Sequence, residues 1–345
     1  MKIVRTDREL QTPVIDANLK KAGHELVLLP DGISEDELIE HISDADLILM
    51  CYTPITRKVI EAAKKLKGIV KYGVGIDAID IAAAIDNGLP VVNIPEYAEE
   101  TVAEGAFAML IALAKKLPAI QNQMENNGWA WPEPKWLGSD IAGKTLGIVG
   151  FGKIGKSMAR MASHGFRARV IAFSPHTDSQ EMKKFGVTKY NSLNQLLSDS
   201  DFVSIHSVLN SETQKLIGEK ELRHMKSSSI LINSARGAIV DEKALIKAIK
   251  EKWISGLGLD VFRQEPLNAK YHPMKELYGR PNVILMPHLT FYTDGAMNRL
   301  ETETLERCYE ILDGKKVLVK SLDPRLRKQS KSVILYQVKS PYYNT

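Results

Sequence analysis

Short apolar runs alternate with amphipathic stretches along most of this chain of 345 residues. The alternation is typical of parallel sheets whose strands are joined by helical crossovers. The strands predicted in the first hundred residues are 2–5, 25–29, 47–51, 69–72 and 90–93. The strands predicted further along are 145–149, 169–173, 202–206, 230–233, 256–260 and 283–286. We therefore predict two consecutive α/β units, since a chain of this length can bury a core in each.

Segments outside the strands shape the predicted domain organisation. A long apolar-rich helix is predicted over 98–117, followed at 121–140 by a long loop rich in Asn, Pro, Gly and Trp, of the kind that is usually functional or contacts a partner. A second long helix is predicted over 295–312, before the helix stop Asp313-Gly314. Residues from about Lys328 carry no clear pattern and are expected to form a weakly ordered tail.

A glycine-rich turn carries the clearest chemical signal. Gly150, Gly152 and Gly155 follow the apolar run 145–149 and precede a stretch with helical spacing, 156–162. In that context the first glycine permits the tight turn, the second lets the backbone approach a pyrophosphate, and the third lets helix and strand pack closely. The phosphates would then face the N–H groups at the start of the helix. We predict a dinucleotide-binding site here.

A second glycine-containing stretch, 138–145, satisfies the P-loop expression. A P-loop needs a strand before it and a helix after it, whereas here a strand is predicted to follow. Hydrolysis of nucleoside triphosphates is therefore not expected.

Composition and charge narrow the class of protein. Apolar residues make up 44% and charged residues 26%, which is an ordinary globular composition. The net charge is +4, but the excess of Lys and Arg lies from Lys315 onward, so the rest of the chain is mildly acidic. Basic side chains in a tail do not line a folded face, and no nucleic-acid partner is expected. The longest apolar stretch, 106–114, is too short to span a bilayer, so no membrane partner is expected either.

Cysteine usage and the amino end indicate the compartment. Cys51 and Cys308 are the only cysteines, too few for a disulfide framework, which fits a reducing environment. The first eight residues become charged before a signal-like apolar core could form, so export is not expected. A cytoplasmic protein is predicted. The histidines show no ligand spacing, and no metal is expected.

Arg236, Glu265 and His288 each come shortly after a predicted strand of the second unit. Because the carboxyl ends of parallel strands lie at one edge of a sheet, these side chains can form an acid–base constellation there. A guanidinium matches a carboxylate, and a glutamate that accepts from one imidazole nitrogen fixes the tautomer and favours the imidazolium. The alternatives for single residues are a surface Arg in an ion pair and a structurally satisfied His.

The chain resembles the D-isomer-specific 2-hydroxyacid dehydrogenase family over roughly residues 40 to 320. The matching blocks, in the right order, are 73–77 (GVGID), 93–95 (NIP), 102–104 (VAE), 150–155, 234–237 (SARG), 260–262 (DVF), 265–266 (EP) and 287–288 (PH). The resemblance implies an α/β protein with two doubly wound parallel-sheet domains, a Rossmann cofactor domain and a flavodoxin-like substrate domain. The implied boundaries are 1–103 and 294–327 for a discontinuous substrate domain, 104–293 for the cofactor domain and 328–345 for the tail.

The resemblance further implies an oxidoreductase that reduces 2-oxo acids to D-2-hydroxy acids with NAD or NADP. Arg236 would hold the substrate carboxylate and polarise the 2-oxo group, while His288, oriented by Glu265, would protonate the carbonyl oxygen. Such families place the site in a cleft between domains, where closure excludes water. The residues implied in cofactor binding are Gly150, Gly152, Lys153, Ile154, Gly155, Ser174, His206, Ala235, Asp260 (as acceptor for the nicotinamide carboxamide) and Val102. The residues implied in substrate binding are Tyr52, Gly73, Val74, Gly75 and Arg236.

The chain departs from the family pattern at three places. Ser174 stands where NAD-selective relatives usually carry an acid for the ribose 2′-OH. Since no Arg follows to bind a 2′-phosphate, we expect relaxed use of NAD and NADP with a slight lean toward NADP. The stretch 289–292 and Tyr72 are bulkier than usual, and they either reshape substrate choice or pack under a loop.

Trp129, Trp131 and Trp136 lie in the predicted loop, and exposed aromatics of this kind often anchor interfaces. Family dimers resemble that arrangement, so a homodimer is expected. The small-molecule partner is a 2-oxo or 2-hydroxy acid whose side chain the sequence does not specify. Two other functions stay open: a cofactor-sensing binding protein resembling the C-terminal-binding-protein corepressors, and a formate- or phosphonate-type dehydrogenase.

Overall fold

The computed structural model describes residues 1–268 and 270–337. The described chain divides into two compact units, of which the first contains residues 1–98 and 293–337, and the second is Glu99–Tyr292. The helices are α1 Pro13–Lys21, α2 Glu35–Ile42, α3 Arg57–Ala62, α4 Ile81–Asp86, α5 Glu99–Ala114, α6 Leu117–Asn127, α7 Lys153–Arg160, α8 Ser179–Lys184, α9 Leu193–Asp199, α10 Glu219–His224, α11 Glu242–Lys250 and α12 Asp294–Leu312. The strands are β1 Lys2–Arg5, β2 Glu25–Leu28, β3 Leu47–Met50, β4 Gly68–Lys71, β5 Val91–Asn93, β6 Thr145–Val149, β7 Arg169–Phe173, β8 Thr188–Tyr190, β9 Phe202–Ile205, β10 Ile230–Asn233, β11 Gly256–Leu259, β12 Val283–Leu285, β13 Val317–Val319 and β14 Val333–Leu335.

The first unit is built on a five-stranded parallel sheet of order β2-β1-β3-β4-β5. This is the flavodoxin-like order, in which the chain reverses direction across the sheet between β1 and β3. β3 and β4 are buried along their whole length, as expected where helices cover both faces of a parallel sheet. Helix α12 belongs to the same unit, and the Glu301 carboxylate accepts the N–H groups of Val14 and Ile15 at the start of α1.

The second unit is built on a seven-stranded parallel sheet of order β12-β11-β10-β9-β6-β7-β8. Numbered within the unit, the order 7-6-5-4-1-2-3 extends that of a Rossmann fold, with the switch point between β6 and β9. Neighbouring residues of β6 pack into different hydrophobic clusters, Ile148 with residues of α5 and α7, and Val149 with residues of α9 and α11. Since successive strand residues point to opposite faces, both faces of the sheet are covered.

The predicted strands agree with the observed ones to within one residue at each end. Three strands were not predicted: β8, and the parallel pair β13 and β14. The prediction of a loop over 121–140 was wrong in its first part, because α6 continues to Asn127.

The prediction of a weakly ordered tail from Lys328 was wrong for 328–337. Gln329 is buried, and its side-chain amide accepts from the Val91 N–H at 2.7 Å and donates to the Val91 carbonyl at 2.9 Å. This pairs the tail with the edge of β5, and β14 then pairs with β13. The rest of the predicted tail, 338–345, lies outside the described residues. Among the helices that are described, none combines the length and apolar character needed to cross a membrane.

Candidate active site

The glycine turn after β6 gives each of its glycines a separate steric role. Gly150 has a φ of +94°, and a Cβ there would lie 2.6 Å from the backbone nitrogen of Ser207. A Cβ on Gly155 would lie 2.4 Å from the Gly150 carbonyl oxygen, so glycine is needed for α7 to approach the turn. A Cβ on Gly152 would meet nothing within 4 Å. The backbone at Gly152 is therefore open to the close approach of a ligand.

The start of α7 suits an anion. Gly152 is the N-cap of the helix and, as a glycine, it provides no side-chain cap to the first turn, which begins with Lys153 and Ile154. The N–H groups of a first helical turn and the helix dipole together favour a phosphate at this position. The Lys153 ammonium lies 2.8 Å from the Glu99 carboxylate. These features fit the pyrophosphate of a dinucleotide.

His206 follows β9 at the switch point of this sheet. Its backbone lies against the glycine turn, since a Cβ on Gly150 would be 2.7 Å from the His206 carbonyl carbon. The imidazole Nε2 lies 2.8 Å from the Ser204 hydroxyl. Burial lowers the pKa of His206 to about 4. The ring is therefore neutral near pH 7 and does not serve as a proton donor there.

The other residues predicted to bind a cofactor are spread over three elements. Ser174 directly follows β7, and its hydroxyl lies 2.9 Å from that of Thr177. Ala235 follows β10 and donates its N–H to the Asn233 side chain at 3.0 Å. Val102 is half-buried on α5. Their contacts with a coenzyme stay predictions.

Arg236, Glu265 and His288 lie at one edge of the second sheet. They follow β10, β11 and β12, which are adjacent and parallel. The carboxyl ends of these strands therefore meet at the edge where open α/β sheets bind ligands. The glycine turn follows β6 of the same parallel sheet, and so it lies at the same edge.

Glu265 and His288 form a direct pair. The imidazole Nδ1 lies 2.7 Å from Glu265 Oε2, and each side chain is a little under one third exposed. The other carboxylate oxygen accepts the N–H of Phe262 at 2.7 Å. Because Glu265 takes Nδ1, any proton exchanged between His288 and a ligand would pass through Nε2.

Asp260 holds the backbone that follows His288. Its buried carboxylate accepts the N–H groups of Leu289 at 2.8 Å and Thr290 at 3.0 Å, and also the Thr290 hydroxyl. His288 itself has a φ of +57°, in the left-handed region that residues other than glycine rarely adopt. Hydrogen bonds to the next two residues stabilise this conformation. The expected contact of Asp260 with a nicotinamide carboxamide stays a prediction.

The bulky residues after His288 divide into two groups. Phe291 is buried, and its ring lies edge-on to the imidazole with 6.3 Å between the centroids. Leu289 and Tyr292 are 43% and 47% exposed. Phe291 therefore packs against the imidazole, while the other two side chains remain accessible.

Arg236 sits in a turn that is packed tightly against the end of the neighbouring strand. A Cβ on Gly237 would lie 1.9 Å from the carbonyl carbon of Phe262, so the turn requires glycine. The Asn233 side chain donates to the Arg236 carbonyl at 3.0 Å. The half-buried guanidinium donates to the Ala235 carbonyl at 2.7 Å. The sequence singled out Arg236, but the steric need for glycine beside it is visible only in the structure.

The first unit has a glycine turn of its own, after β4. Gly73 has a φ of +152°, and Asn93 donates to the Val74 carbonyl at 2.6 Å. Val74 is 43% exposed. Within residues 1–268 and 270–337, the N–H groups of Val74 and Gly75 have no hydrogen-bond acceptor. The turn therefore offers donors to a ligand.

A buried charge, Lys71, lies beside this turn within the first unit. Lys71 is 5% exposed, and its ammonium donates to the Cys51 carbonyl and lies 3.1 Å from the Cys51 sulfur and 5.2 Å from the centroid of the Tyr52 ring. Tyr52 is 42% exposed. Tyr72 is fully buried, with its hydroxyl on the Thr6 carbonyl, so its bulk serves packing. Lys71 was not among the predicted site residues, although a lysine that ends an apolar strand is visible in the sequence.

The described residues were also predicted to lack a metal site. Within the described residues, no group of three or more His, Cys, Asp or Glu side chains is arranged to hold a metal ion.

Comparison with known proteins places this geometry in a family. Residues 107–290 match the family model described as D-isomer specific 2-hydroxyacid dehydrogenase, NAD binding domain. The glyoxylate reductase of Korarchaeum cryptofilum is 43% identical over 258 residues, which is 74% of this chain and 76% of that protein. The glyoxylate reductase of Pyrococcus furiosus is 40% identical over 283 residues, 79% of this chain and 82% of that protein.

A solved structure gives the same result for the fold. The D-lactate dehydrogenase from Aquifex aeolicus, complexed with NAD and lactic acid, superimposes with a TM-score of 0.81 at 29% identity. The match covers 90% of this chain and 96% of that one. The chain therefore carries a Rossmann NAD-binding domain, is an oxidoreductase of 2-hydroxy acids, and belongs to the D-isomer specific 2-hydroxyacid dehydrogenase family.

Proposed function

We propose that this protein reduces small 2-oxo acids to D-2-hydroxy acids with NADH or NADPH, and that Arg236, Glu265 and His288 perform the chemistry. The observation that carries the proposal is the 2.7 Å contact between Glu265 and His288 at the sheet edge that also bears Arg236 and the glycine turn. Relatives that are 40–43% identical are named glyoxylate reductase, so glyoxylate is the first substrate to test.

His288 is proposed as the acid that protonates the carbonyl oxygen of the substrate. The Glu265 carboxylate holds Nδ1, and this leaves Nε2 to donate the proton. Glu265 is proposed as the positioning residue, since its second oxygen is fixed by the Phe262 N–H. When bound, the dihydronicotinamide supplies a hydride to the 2-carbon of the acid.

Arg236 is proposed to bind the substrate carboxylate and to polarise the 2-oxo group. A planar guanidinium can donate to two oxygens at once, which a lysine cannot do with the same geometry. In the first unit, the N–H groups of Val74 and Gly75 are proposed to take a carboxylate oxygen. Gly73 and Tyr52 are proposed to shape that part of the substrate site.

Coenzyme binding is proposed to use the turn and helix of the second unit. The N–H groups of Lys153 and Ile154 would take the pyrophosphate over Gly152, where the backbone is open. Asp260, Ala235, His206 and Val102 are proposed to contact the rest of the coenzyme, and Ser174 its adenosine ribose. The second unit, Glu99–Tyr292, is accordingly proposed as the cofactor domain, and the first as the substrate domain.

We also propose that the protein is a homodimer. Trp129, Trp131 and Leu137 are 60%, 73% and 77% exposed, a concentration of apolar surface that a second copy could cover. Light scattering of a dilute sample should show twice the 38.4 kDa chain mass. A species of single-chain mass at all concentrations would contradict the dimer.

The activity is tested by a spectrophotometric screen. The purified protein is mixed with NADH or NADPH and a panel of 2-oxo acids: glyoxylate, hydroxypyruvate, pyruvate and a phosphorylated analogue. We expect rapid oxidation of the coenzyme with at least one acid, and loss of that oxidation in His288→Gln. Coenzyme binding without turnover of any acid would instead support a cofactor-sensing protein. Reduction of NAD or NADP by formate or phosphite would support a dehydrogenase of that type.

A further inference from the structure

The adenosine end of the coenzyme site has an unusual charge arrangement. In Rossmann folds the residue after the second strand of the unit reads the ribose 2′ position, and an acid there selects NAD. Here that residue is Ser174, whose hydroxyl lies 2.9 Å from the Thr177 hydroxyl. The two hydroxyls face each other across the turn 174–177, and both side chains are half-buried. Hydroxyl groups can donate to a phosphate, and they do not repel it as a carboxylate would.

A lysine from the next strand reaches this turn. Lys189 lies on β8, paired in register with Ala172 of β7. Its ammonium donates to the Thr177 carbonyl at 2.7 Å and approaches the Pro175 carbonyl at 3.5 Å. The side chain is half-buried. Hydrogen bonds to the backbone of the turn therefore hold the ammonium in place.

The charge on Lys189 has no counterion in the described part of the chain. The two lysines of α7 differ in this respect, because Lys153 pairs with Glu99 and Lys156 pairs with Glu181. No carboxylate of the described residues lies within 4.0 Å of the Lys189 ammonium. A half-buried cation held by carbonyls alone leaves positive charge available to an anionic ligand.

The acidic groups near the turn are occupied elsewhere. Asp178 accepts the N–H of Gln180 at 2.6 Å and caps α8. Glu212 lies 3.7 Å from the imidazole of His176, and both of these side chains are largely exposed. Neither carboxylate is bonded to Lys189, Ser174 or Thr177. The Lys189 ammonium, which has no counterion in the described chain, therefore lies at a turn that carries the hydroxyls of Ser174 and Thr177.

We propose that Lys189, with the hydroxyls of Ser174 and Thr177, forms a subsite for the 2′-phosphate of NADPH. The inference rests on the coenzyme site of the proposed function, and it is independent of which acid is reduced. No Arg follows shortly after Ser174 in the sequence. In the structure the cation comes from the next strand, because Lys189 of β8 lies fifteen residues after Ser174.

Binding titrations of the full-length protein test the subsite without using turnover. The dissociation constants of NADPH and NADH are measured by the change in nicotinamide fluorescence. Competition by 2′,5′-ADP against 5′-AMP isolates the phosphate itself. We expect Lys189→Met to weaken NADPH and 2′,5′-ADP about 20-fold and to change NADH and 5′-AMP by less than about twofold, as for the loss of one charge-assisted hydrogen bond.

Matched variants separate the subsite from general charge and from misfolding. Lys189→Arg keeps a cation and should retain most of the NADPH affinity. Lys184→Met removes an exposed cation of α8 that makes no ion pair in the described chain, and it should change neither coenzyme by more than about twofold. Ser174→Asp adds the acid that selects NAD, and it should weaken NADPH while preserving or improving NADH binding.

The outcomes discriminate the two proposals. Equal weakening of NADPH and NADH in Lys189→Met would assign Lys189 a structural role and overturn the subsite. Wild-type protein that binds NADH but discriminates strongly against NADPH would overturn it as well. Failure to turn over any 2-oxo acid, with the NADPH-specific effect of Lys189→Met intact, would contradict the proposed function and leave the subsite supported.

Discussion

The two parallel sheets of this protein differ at their switch points, since the first crevice is occupied by a side chain of the protein and the second is open. In the first unit the chain reverses between β1 and β3, and there the buried carboxylate of Asp7 accepts the N–H groups of Cys51, Tyr52 and Thr53. In the second unit the chain reverses between β6 and β9, where Gly152 is the N-cap of α7, provides no side-chain cap and leaves its backbone open. Both crevices present N–H donors to an anion. The first is filled by an aspartate of the chain itself, whereas the second suits an external phosphate.

The comparison shows that topology alone does not make a ligand site. The rule that ligands bind at switch points describes where strand ends leave a crevice. What occupies the crevice depends on whether a side chain of the right charge follows the strand. Within the described part of the first unit, the N–H groups of Val74 and Gly75 have no acceptor, and these residues follow β4 rather than the switch point.

The largest effect is expected at the edge of the second sheet. Arg236→Ala should lower kcat/KM for the best 2-oxo acid by about a thousandfold or more, roughly 4 kcal/mol, because it removes both of the roles proposed for Arg236, carboxylate binding and carbonyl polarisation. Steady-state kinetics measures the loss, and Arg236→Lys should recover little of it because the bidentate geometry is missing. Activity unchanged in Arg236→Ala would remove this residue from the mechanism.

The next effect tests the filled crevice of the first unit. Asp7→Ala should reduce the free energy of unfolding by about 3 kcal/mol, since it leaves buried N–H groups of residues 51–53 without an acceptor. Asp7 also has a φ of +57°, which Asn tolerates better than Ala, so Asp7→Asn should lose less. Denaturant unfolding measures both. A ranking in which the Asn variant is the less stable would contradict this account of the crevice.

Two glycine variants sharpen the contrast within the second unit. Gly155→Ala drives a Cβ against the Gly150 carbonyl and should cost about 2 kcal/mol of stability. Gly152→Ala places its Cβ in open space and should change stability by less than about 0.5 kcal/mol. It should nevertheless weaken coenzyme binding about tenfold, because the methyl group would lie where the pyrophosphate approaches. Thermal unfolding and coenzyme titration together check the pair, and a Gly152→Ala protein with normal coenzyme affinity would place the pyrophosphate elsewhere.

The smallest effect concerns the histidine at the second switch point. The pKa of His206 is lowered to about 4 by burial, below its ordinary value of 6.5. Between pH 4 and 6.5 the His206 imidazole is protonated in the unfolded chain but not in the folded chain. The free energy of unfolding therefore falls as the pH drops from 6.5 toward 4. Because His206 is only half-buried, we expect the free energy of unfolding to fall by about 1–2 kcal/mol over this pH range through its titration. His206→Gln should flatten that part of the pH–stability curve, and an unchanged slope would show that the ring titrates normally.

The burial of each strand decided whether the sequence could predict it. β1, β6, β7 and β10 were predicted to the residue, because strands covered on both faces read as continuous apolar runs. β8 reads Thr-Lys-Tyr at the edge of its sheet, and so no apolar run marks it. That omission also hid Lys189, the cation that we assign to the 2′-phosphate.

The errors near the carboxyl end have a related cause. Gln329 is a single polar residue in a charged stretch, and nothing local indicates that its amide pairs with the backbone of Val91. β13 and β14 are three residues each and pair with one another at a distance along the chain. Such pairings depend on residues that are remote in sequence, whereas periodicity reports only on neighbours.

The sequence by itself determined the fold class, the glycine turn and the choice of Arg236, Glu265 and His288, because strand burial and turn chemistry are written in local residue patterns. Only the tertiary structure decided that Glu265 contacts the imidazole Nδ1, that Asp7 occupies the first crevice and that Lys189 reaches the turn after β7. Each of these contacts joins separate segments of the chain, and its distance is set by strand register and packing. Local patterns carry no information about such distances, although the chemistry depends on them.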